Sequence, residues 1–332
     1  MINNDSLSKL CTVVCCSCDK YADLQPVFLE LFRKYWPDCP FSLVLVTETD
    51  LIARLATPAD PKNPTDPNSF SQVFALGAGK NWASRLVEAL DKIETPYVLM
   101  LCDDYFLERK VDTAKMISRL EEMRRRNAAN LRLIPNPVGG KAVEGSDLLE
   151  YERNTAYCIA TQAGFWEKGF LKSLAAPVAS IWEFERYGSF AVGGEQRPLL
   201  HTATKEFPFV DAVHKGHWEK FGVRVCRENG IAIDFAKRGL PPLKARLVEG
   251  LKGLIFAIVP TTWLVRLQNR FGLGAKEVAK PEGLSFQVVA GRVPGSPEGL
   301  SSQVVADRAP GSHEGLSSQV VSREGGGVAC ST

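Results

Sequence analysis

The first strongly patterned stretch, Leu10 to Cys16 (Leu-Cys-Thr-Val-Val-Cys-Cys), is apolar without alternation, as expected of a strand buried on both faces. A polar loop, Ser17-Cys18-Asp19-Lys20-Tyr21, follows it. Leu24, Phe28, Leu31, Phe32 and Tyr35 then recur at helical spacing and predict an amphipathic helix over 24–35, ended by Pro37 and Pro40. Phe41 to Val46 reads as a second strand, and Thr47-Glu48-Thr49-Asp50 leaves its carboxyl end. Strand, helix and strand in that order form the βαβ unit of a parallel sheet.

The pattern lapses over 57–71, where four prolines stand among Asn, Asp, Thr and Ser and predict a loop. Asn81-Trp82-Ala83-Ser84 opens a helix ending near Lys92, with Leu86, Leu90 and Ile93 on its buried side. Pro96 leads into Tyr97-Val98-Leu99-Met100-Leu101, an uninterrupted apolar strand, and Cys102-Asp103-Asp104-Tyr105 stands where it ends. Residues 112–127 predict an amphipathic helix whose basic end, Arg124-Arg125-Arg126, complements the helix dipole in solvent. Strands are expected at Leu131–Pro135 and Thr155–Ala163, and a short helix at Trp166–Leu174. An apolar strand at Phe207–Val213 leads into His214-Lys215-Gly216-His217-Trp218. The fold class is therefore α/β: a mixed, mainly parallel sheet flanked by helices, over residues 1–240.

Beyond Leu240 the pattern changes. Residues 241–274 predict a helical segment, rich in Leu, Ile and Phe over 243–271 with Lys244, Arg246, Lys252, Arg266 and Arg270 interspersed. Its apolar centre, interrupted by Pro260, is too short to span a bilayer. Packing against the domain and lying on an anionic membrane surface both satisfy such a pattern. Residues 275–332 are a tandem repeat: Pro281-Glu282-Gly283-Leu284-Ser285 recurs as Pro297-Glu298-Gly299-Leu300-Ser301 and as His313-Glu314-Gly315-Leu316-Ser317. So short and Gly/Pro/Ser-rich a repeat cannot bury a core and is expected to be disordered.

Composition narrows the function. A net charge of +2 in 332 residues argues against nucleic-acid binding driven by bulk charge. The amino terminus lacks a basic start and a long apolar stretch, and no run reaches the roughly 18 apolar residues of a membrane span, so a cytoplasmic protein is expected, peripheral at most at the inner membrane face. Of nine cysteines, Cys11, Cys15, Cys16 and Cys18 sit in or beside the first strand, without the paired spacing of a zinc site. They read as buried free thiols in a reducing compartment.

In an open parallel sheet, ligands bind beyond the carboxyl ends of the strands. Ser17 and Asp19, Glu48, and the pair Asp103-Asp104 fall there, and the helix that feeds the last strand brings polar Arg85. Two adjacent carboxylates are costly unless a cation or donors neutralise them. A hard divalent ion, Mg2+ or Mn2+, held by one or two carboxylates and a substrate diphosphate would do so, and would stabilise a departing nucleoside diphosphate.

These residues carry a resemblance. Asn81-Trp82-Ala83-Ser84-Arg85-Leu86, together with Tyr97-Val98-Leu99-Met100-Leu101-Cys102-Asp103-Asp104-Tyr105-Phe106, resembles GT-A-type glycosyltransferases, whose fold is Rossmann-like. Ser17-Cys18-Asp19-Lys20-Tyr21 and Lys34-Tyr35-Trp36-Pro37 narrow the likeness to a bacterial group of family-2-like glycosyltransferases, over roughly residues 10–240. The resemblance implies a nucleotide-sugar donor, a glycan or lipid-linked acceptor and a role in surface polysaccharide synthesis. It also implies nucleoside contacts from Asp19 and Glu48, and a metal at Asp103 and Asp104. The family's Asp-x-Asp motif is broken, with Tyr105 at its third position. A late histidine completes the metal or diphosphate site in many such enzymes, which points to His214. An inverting member needs a carboxylate base, and Trp182-Glu183-Phe184-Glu185 offers two. If that segment is extended, Glu183 and Glu185 point the same way and either can serve, Glu183 being slightly preferred.

Two other classes compete. A nucleotidyltransferase also wants carboxylate-bound Mg2+, but the Gly-rich phosphate loop usual there is missing between Ser17 and Leu24. A non-catalytic sugar- or nucleotide-binding protein would keep the fold without the metal. Hydride transfer fails, because no G-x-G-x-x-G follows the first strand.

Overall fold

The computed structural model describes residues 4–50, 70–135, 139–151, 158–242, 285–291 and 301–307. The proline-rich loop up to residue 69 and the helical segment from 243 lie outside them. The chain runs α1 (Asn4–Ser8), β1 (Cys11–Cys16), α2 (Gln25–Tyr35), β2 (Ser42–Thr47), β3 (Gln72–Ala75), α3 (Trp82–Lys92) and β4 (Tyr97–Cys102). Next come β5 (Tyr105–Leu107), α4 (Thr113–Arg125), β6 (Asn130–Arg132), β7 (Lys141–Ala142), β8 (Leu148–Glu150) and β9 (Gly164–Glu167). Then follow α5 (Lys168–Ala175), α6 (Ile181–Ala191), β10 (Leu199–Thr202), β11 (Phe209–Asp211), β12 (Val213–His214), β13 (His217–Trp218) and α7 (Lys220–Glu228).

Nine strands make one sheet in the order β3-β2-β1-β4-β9-β6-β10-β8-β7. All but β9 and β8 run in the same direction, so the sheet is mixed and mainly parallel. The chain moves from β1 outward to β2 and β3 on one side, then returns to lay β4 on the other. That reversal between β1 and β4 is a topological switch point, where an open α/β sheet leaves a crevice at the carboxyl ends.

Alternation along the central strands separates two cores. Val13, Cys15, Leu43, Leu45, Leu99 and Leu101 face Phe28, Leu31 and Phe32 of α2 and Met116 and Leu120 of α4. Val14, Cys16, Val44, Val98 and Met100 face Leu86 and Leu90 of α3, Phe170 and Leu174 of α5, and Phe184 of α6. Burial on both faces accounts for the unbroken apolar runs of β1 and β4. Asn81 caps α3 by accepting from Ser84 N at 2.8 Å, and Pro26 stands in the first turn of α2. Cys11, Cys15 and Cys16 are buried free thiols.

Four expectations are corrected. Residues 158–163 form no strand; the strand is β9, and it includes Trp166, which was expected to open a helix. Glu167 ends β9 and caps α5, accepting from Gly169 N and Phe170 N at 2.8 Å each. Ile181–Tyr187 is not extended but is the first part of α6. Ser180 Oγ accepts from Glu183 N at 3.2 Å and Glu183 Oε2 reaches back to Ala179 N at 2.7 Å, close to a capping box. In the repeat tail, β14 (Ser285–Gly291) and β15 (Ser301–Asp307) pair antiparallel with Ser285 opposite Asp307, where no secondary structure was expected. Each carries the β-branched pair of a Gln-Val-Val repeat. Among the described residues no helix is long and apolar enough to cross a membrane.

Candidate active site

The residues that leave β1 and β4 still follow the ladder: Ser17 N donates to Val46 O at 2.9 Å, and Asp103 N to Cys16 O at 3.2 Å. This sets Ser17 and Asp103 side by side at the switch point. Ser17 Oγ donates a short hydrogen bond to Asp103 Oδ2 and accepts from Gln25 Nε2 at 2.6 Å. Burial, reinforced by the neighbouring Asp104, pushes the Asp103 carboxyl well above the usual aspartate range, against the pull of Ser17 and Arg238.

Asp104 is half-buried beside it. β5 pairs antiparallel with β11, which places Asp211 opposite Tyr105, and Ala212 N donates to Asp104 O at 2.8 Å. Burial, with the Asp211 charge adding to it, pushes Asp104 up to about 7. Asp211 is raised as well, by loss of water, while Lys205 and His214 oppose the rise. Gly222 in α7 permits this approach, because a Cβ there would lie 2.5 Å from Ala212 Cα.

The carboxylates open into a cavity of about 1120 Å³. Ser17, Cys18, Asp103 and Asp104 line its floor. Toward the face covered by α3 and α6 stand Trp82, Thr161, Trp182 and Glu185. Toward the other face stand Lys205, Asp211, His214 and Arg224. Glu185 Oε1 accepts from both Thr161 N (2.9 Å) and Thr161 Oγ1 (2.7 Å), which aims the carboxylate. His214 is exposed at the rim, before a turn with positive φ at Lys215 (51°) and Gly216 (83°), as two-residue hairpins require. Tyr21 also lines the cavity, and Arg238 lies 4.3 Å from its ring centre. The same guanidinium bonds Asp23 at 2.8 and 2.9 Å.

Of the residues singled out in the sequence, Ser17, Asp103, Asp104, Glu185 and His214 meet in this cavity. Asp19, Glu48 and Arg85 instead tie two loops together. Glu48 accepts from Asp19 N (2.9 Å) and Arg85 Nη1 (3.0 Å), and Asp19 accepts from Thr49 N and Oγ1 at 3.0 Å each. They brace the walls beside the crevice and are not among its lining residues. Glu183, slightly preferred as base, also lies outside the lining, because it caps its own helix. Sequence reading missed Asp211, although it ends an apolar run just as Asp103 does. It also missed Lys205, Arg224 and Arg238, for which spacing carries no signal.

Asp104 and Asp211 bring two oxygen-donor side chains to the cavity, and neither is in an ion pair with a basic side chain among the described residues. Among the described residues no three His, Cys, Asp or Glu side chains converge on one point as a metal cage, so Asp103, Asp104 and His214 do not form a preformed set. Two carboxylates suit a divalent ion that takes its remaining oxygens from a diphosphate and water.

No model of a known protein family matches the chain, and no curated protein matches it. Among solved structures it is similar to TarS of S. aureus at a TM-score of 0.38 and 10% identity, over 59% of this chain and 37% of that one. It is similar to TarS 1–349 in complex with UDP-GlcNAc at 0.34 and 13%, over 58% of each chain. A cytidylyltransferase from Leptospira borgpetersenii serovar Hardjo-bovis (strain JB197) is similar at 0.38 and 10%, over 66% of this chain and 94% of that one. The matched region thus spans 37% of the length of the TarS chain.

Proposed function

We propose that this chain is a glycosyltransferase that moves a sugar from a nucleoside-diphosphate donor to a hydroxyl of a glycan or lipid-linked acceptor, in bacterial surface polysaccharide or glycoconjugate assembly. The observation that carries the reading is the placing of Asp103-Asp104 at the switch point, in a cavity that also holds Glu185. The nucleotide occupies the crevice beyond β1 and β4, over Ser17 and Cys18. The diphosphate lies toward Asp104 and Asp211, with Lys205, His214, Lys215 and Arg224 lining the same cavity. A divalent ion at Asp104 and Asp211 would neutralise the diphosphate and stabilise it as leaving group. Glu185, held through one oxygen by Thr161, keeps its other oxygen to accept the proton of the attacking hydroxyl.

A thermal-shift series of nucleoside diphosphates with and without Mn2+ tests the reading. Stabilisation by at least one of them, with hydrolysis of the matching nucleotide sugar that is lost in Asp104→Asn, is expected. No stabilisation by any nucleotide overturns it. Release of pyrophosphate from a nucleoside triphosphate would assign the site to a nucleotidyltransferase instead.

A further inference from the structure

Among the aromatic side chains lining the cavity, Trp182 stands apart. It is 65% exposed, although it borders a concave site. Phe221 is also exposed, at 46%, but Lys220 Nζ and Arg224 Cζ lie 4.7 and 5.5 Å from its ring centre. Trp82 packs edge-on against Phe184 at 5.5 Å, and Tyr105 packs on Phe209 at 4.3 Å. Trp182 has neither a ring partner nor a cation partner among the described residues.

Its place on the helix gives this meaning. Trp182 and Glu185 are three residues apart in α6, so their side chains share one helix face, and both line the cavity. The capping bonds of Ser180 and Glu183 fix the first turn that carries the indole. Thr161 fixes the carboxylate one turn on. A flat apolar surface beside an aimed carboxylate suits a ligand with an apolar C–H face and hydroxyls at its edge. A pyranose ring has that shape; an extended polyol or a fatty chain does not.

We propose that Trp182 is the acceptor platform: a pyranose of the acceptor glycan stacks on its indole and is thereby held with a hydroxyl at Glu185. The inference rests on the glycosyltransferase reading for the identity of the acceptor, but its binding test does not need the donor. Saturation-transfer NMR on the full chain, with methyl β-glucopyranoside and chitotriose as pyranose probes and ribitol as a linear control, reads the contact directly. Saturation of the ring C–H protons of a pyranose is expected, with none on ribitol. Trp182→Ala should weaken pyranose binding about threefold to tenfold, the worth of one stacking contact. Trp182→Phe should retain part of it. The nucleoside-diphosphate thermal shift should be unchanged in both, since Trp182 serves the acceptor side. Pyranose binding that is absent in the wild type, equal in Trp182→Ala, or matched by ribitol overturns the proposal. A missing nucleotide shift in the wild type would overturn the transferase reading while leaving the sugar platform intact.

Discussion

Ser17 and Asp103, 86 positions apart, share a hydrogen bond at the point where β1 and β4 end. Gln25 Nε2 holds the same hydroxyl from the first turn of α2, so three elements meet at one oxygen. All three side chains are buried. Ser17→Ala would leave the Asp103 carboxyl and the Gln25 amide each short of a partner, a loss of about 1–3 kcal/mol for buried polar groups. Urea unfolding should show that destabilisation, together with weaker nucleotide binding, and an unchanged midpoint would refute the role given to this bond.

Asp104 supplies a pH signature. Its carboxyl is pushed up to about 7 in the folded chain, whereas an unfolded aspartate titrates near ~3.9. Between those values the folded chain holds a proton that the unfolded chain has lost. Its contribution is fully present below the lower value and is lost as pH rises through the higher one. Asp104→Asn should flatten that slope and be more stable than the wild type at mildly alkaline pH. Parallel pH–stability curves for the two proteins would contradict the assignment.

The two glutamates of α6 should separate cleanly. Glu185→Gln is expected to abolish sugar transfer while leaving the nucleotide thermal shift in place. Glu183→Ala, which removes the acceptor for Ala179 N, should cost about 0.5–2 kcal/mol of stability through the lost helix cap and leave turnover close to wild type. If the losses fall the other way round, the base has been misassigned.

Arg85 is buried, and its guanidinium meets Glu48 at 3.0 Å. Arg85→Met leaves Glu48 without its cation and loosens the brace between the loops after β1 and β2. A loss of roughly 3 kcal/mol is expected, as when one partner of a largely buried pair is removed. The nucleotide shift should shrink with it, measured by calorimetry on the wild type and on Arg85→Met.

Gly222→Ala tests the support beneath Asp211. The added Cβ would press on the Ala212 backbone, which cannot yield as a side-chain tip can. Overpacking of this kind costs about 1–3 kcal/mol. Because Ala212 also donates to Asp104 O, cation and nucleotide binding should fall further than the same change at Gly239, where a Cβ meets nothing within 4 Å.

Much of the sheet and part of the site are legible in the sequence. β1, β2 and β4 announce themselves because strands buried on both faces need apolar side chains at every position. The Asp103-Asp104 pair follows from where β4 must stop. Trp182-Glu183-Phe184-Glu185 alternates like a strand but is helical, and the outvoted signal was Ser180 followed three residues later by Glu183. Asp211 joins Asp104 only through the pairing of β5 with β11, a contact across about a hundred residues that no local pattern encodes. Asp19 and Glu48 stand where a nucleoside contact is expected, and only the tertiary hydrogen bonds reveal that each is occupied by the neighbouring loop.

Arg238 grips Asp23 across 215 positions of chain. Few contacts in the described chain close so large a loop, and such contacts are slow to form because the intervening chain must first be ordered. During synthesis Tyr21 and Asp23 therefore wait for a residue made long after the strands around them. A polypeptide stopped just short of Arg238 would contain every side chain that lines the cavity and still lack the clasp on the loop at its floor. Synthesis past Arg238 thus becomes a condition for a finished site, and fragments that end before it should fold their sheet yet bind nucleotide less well.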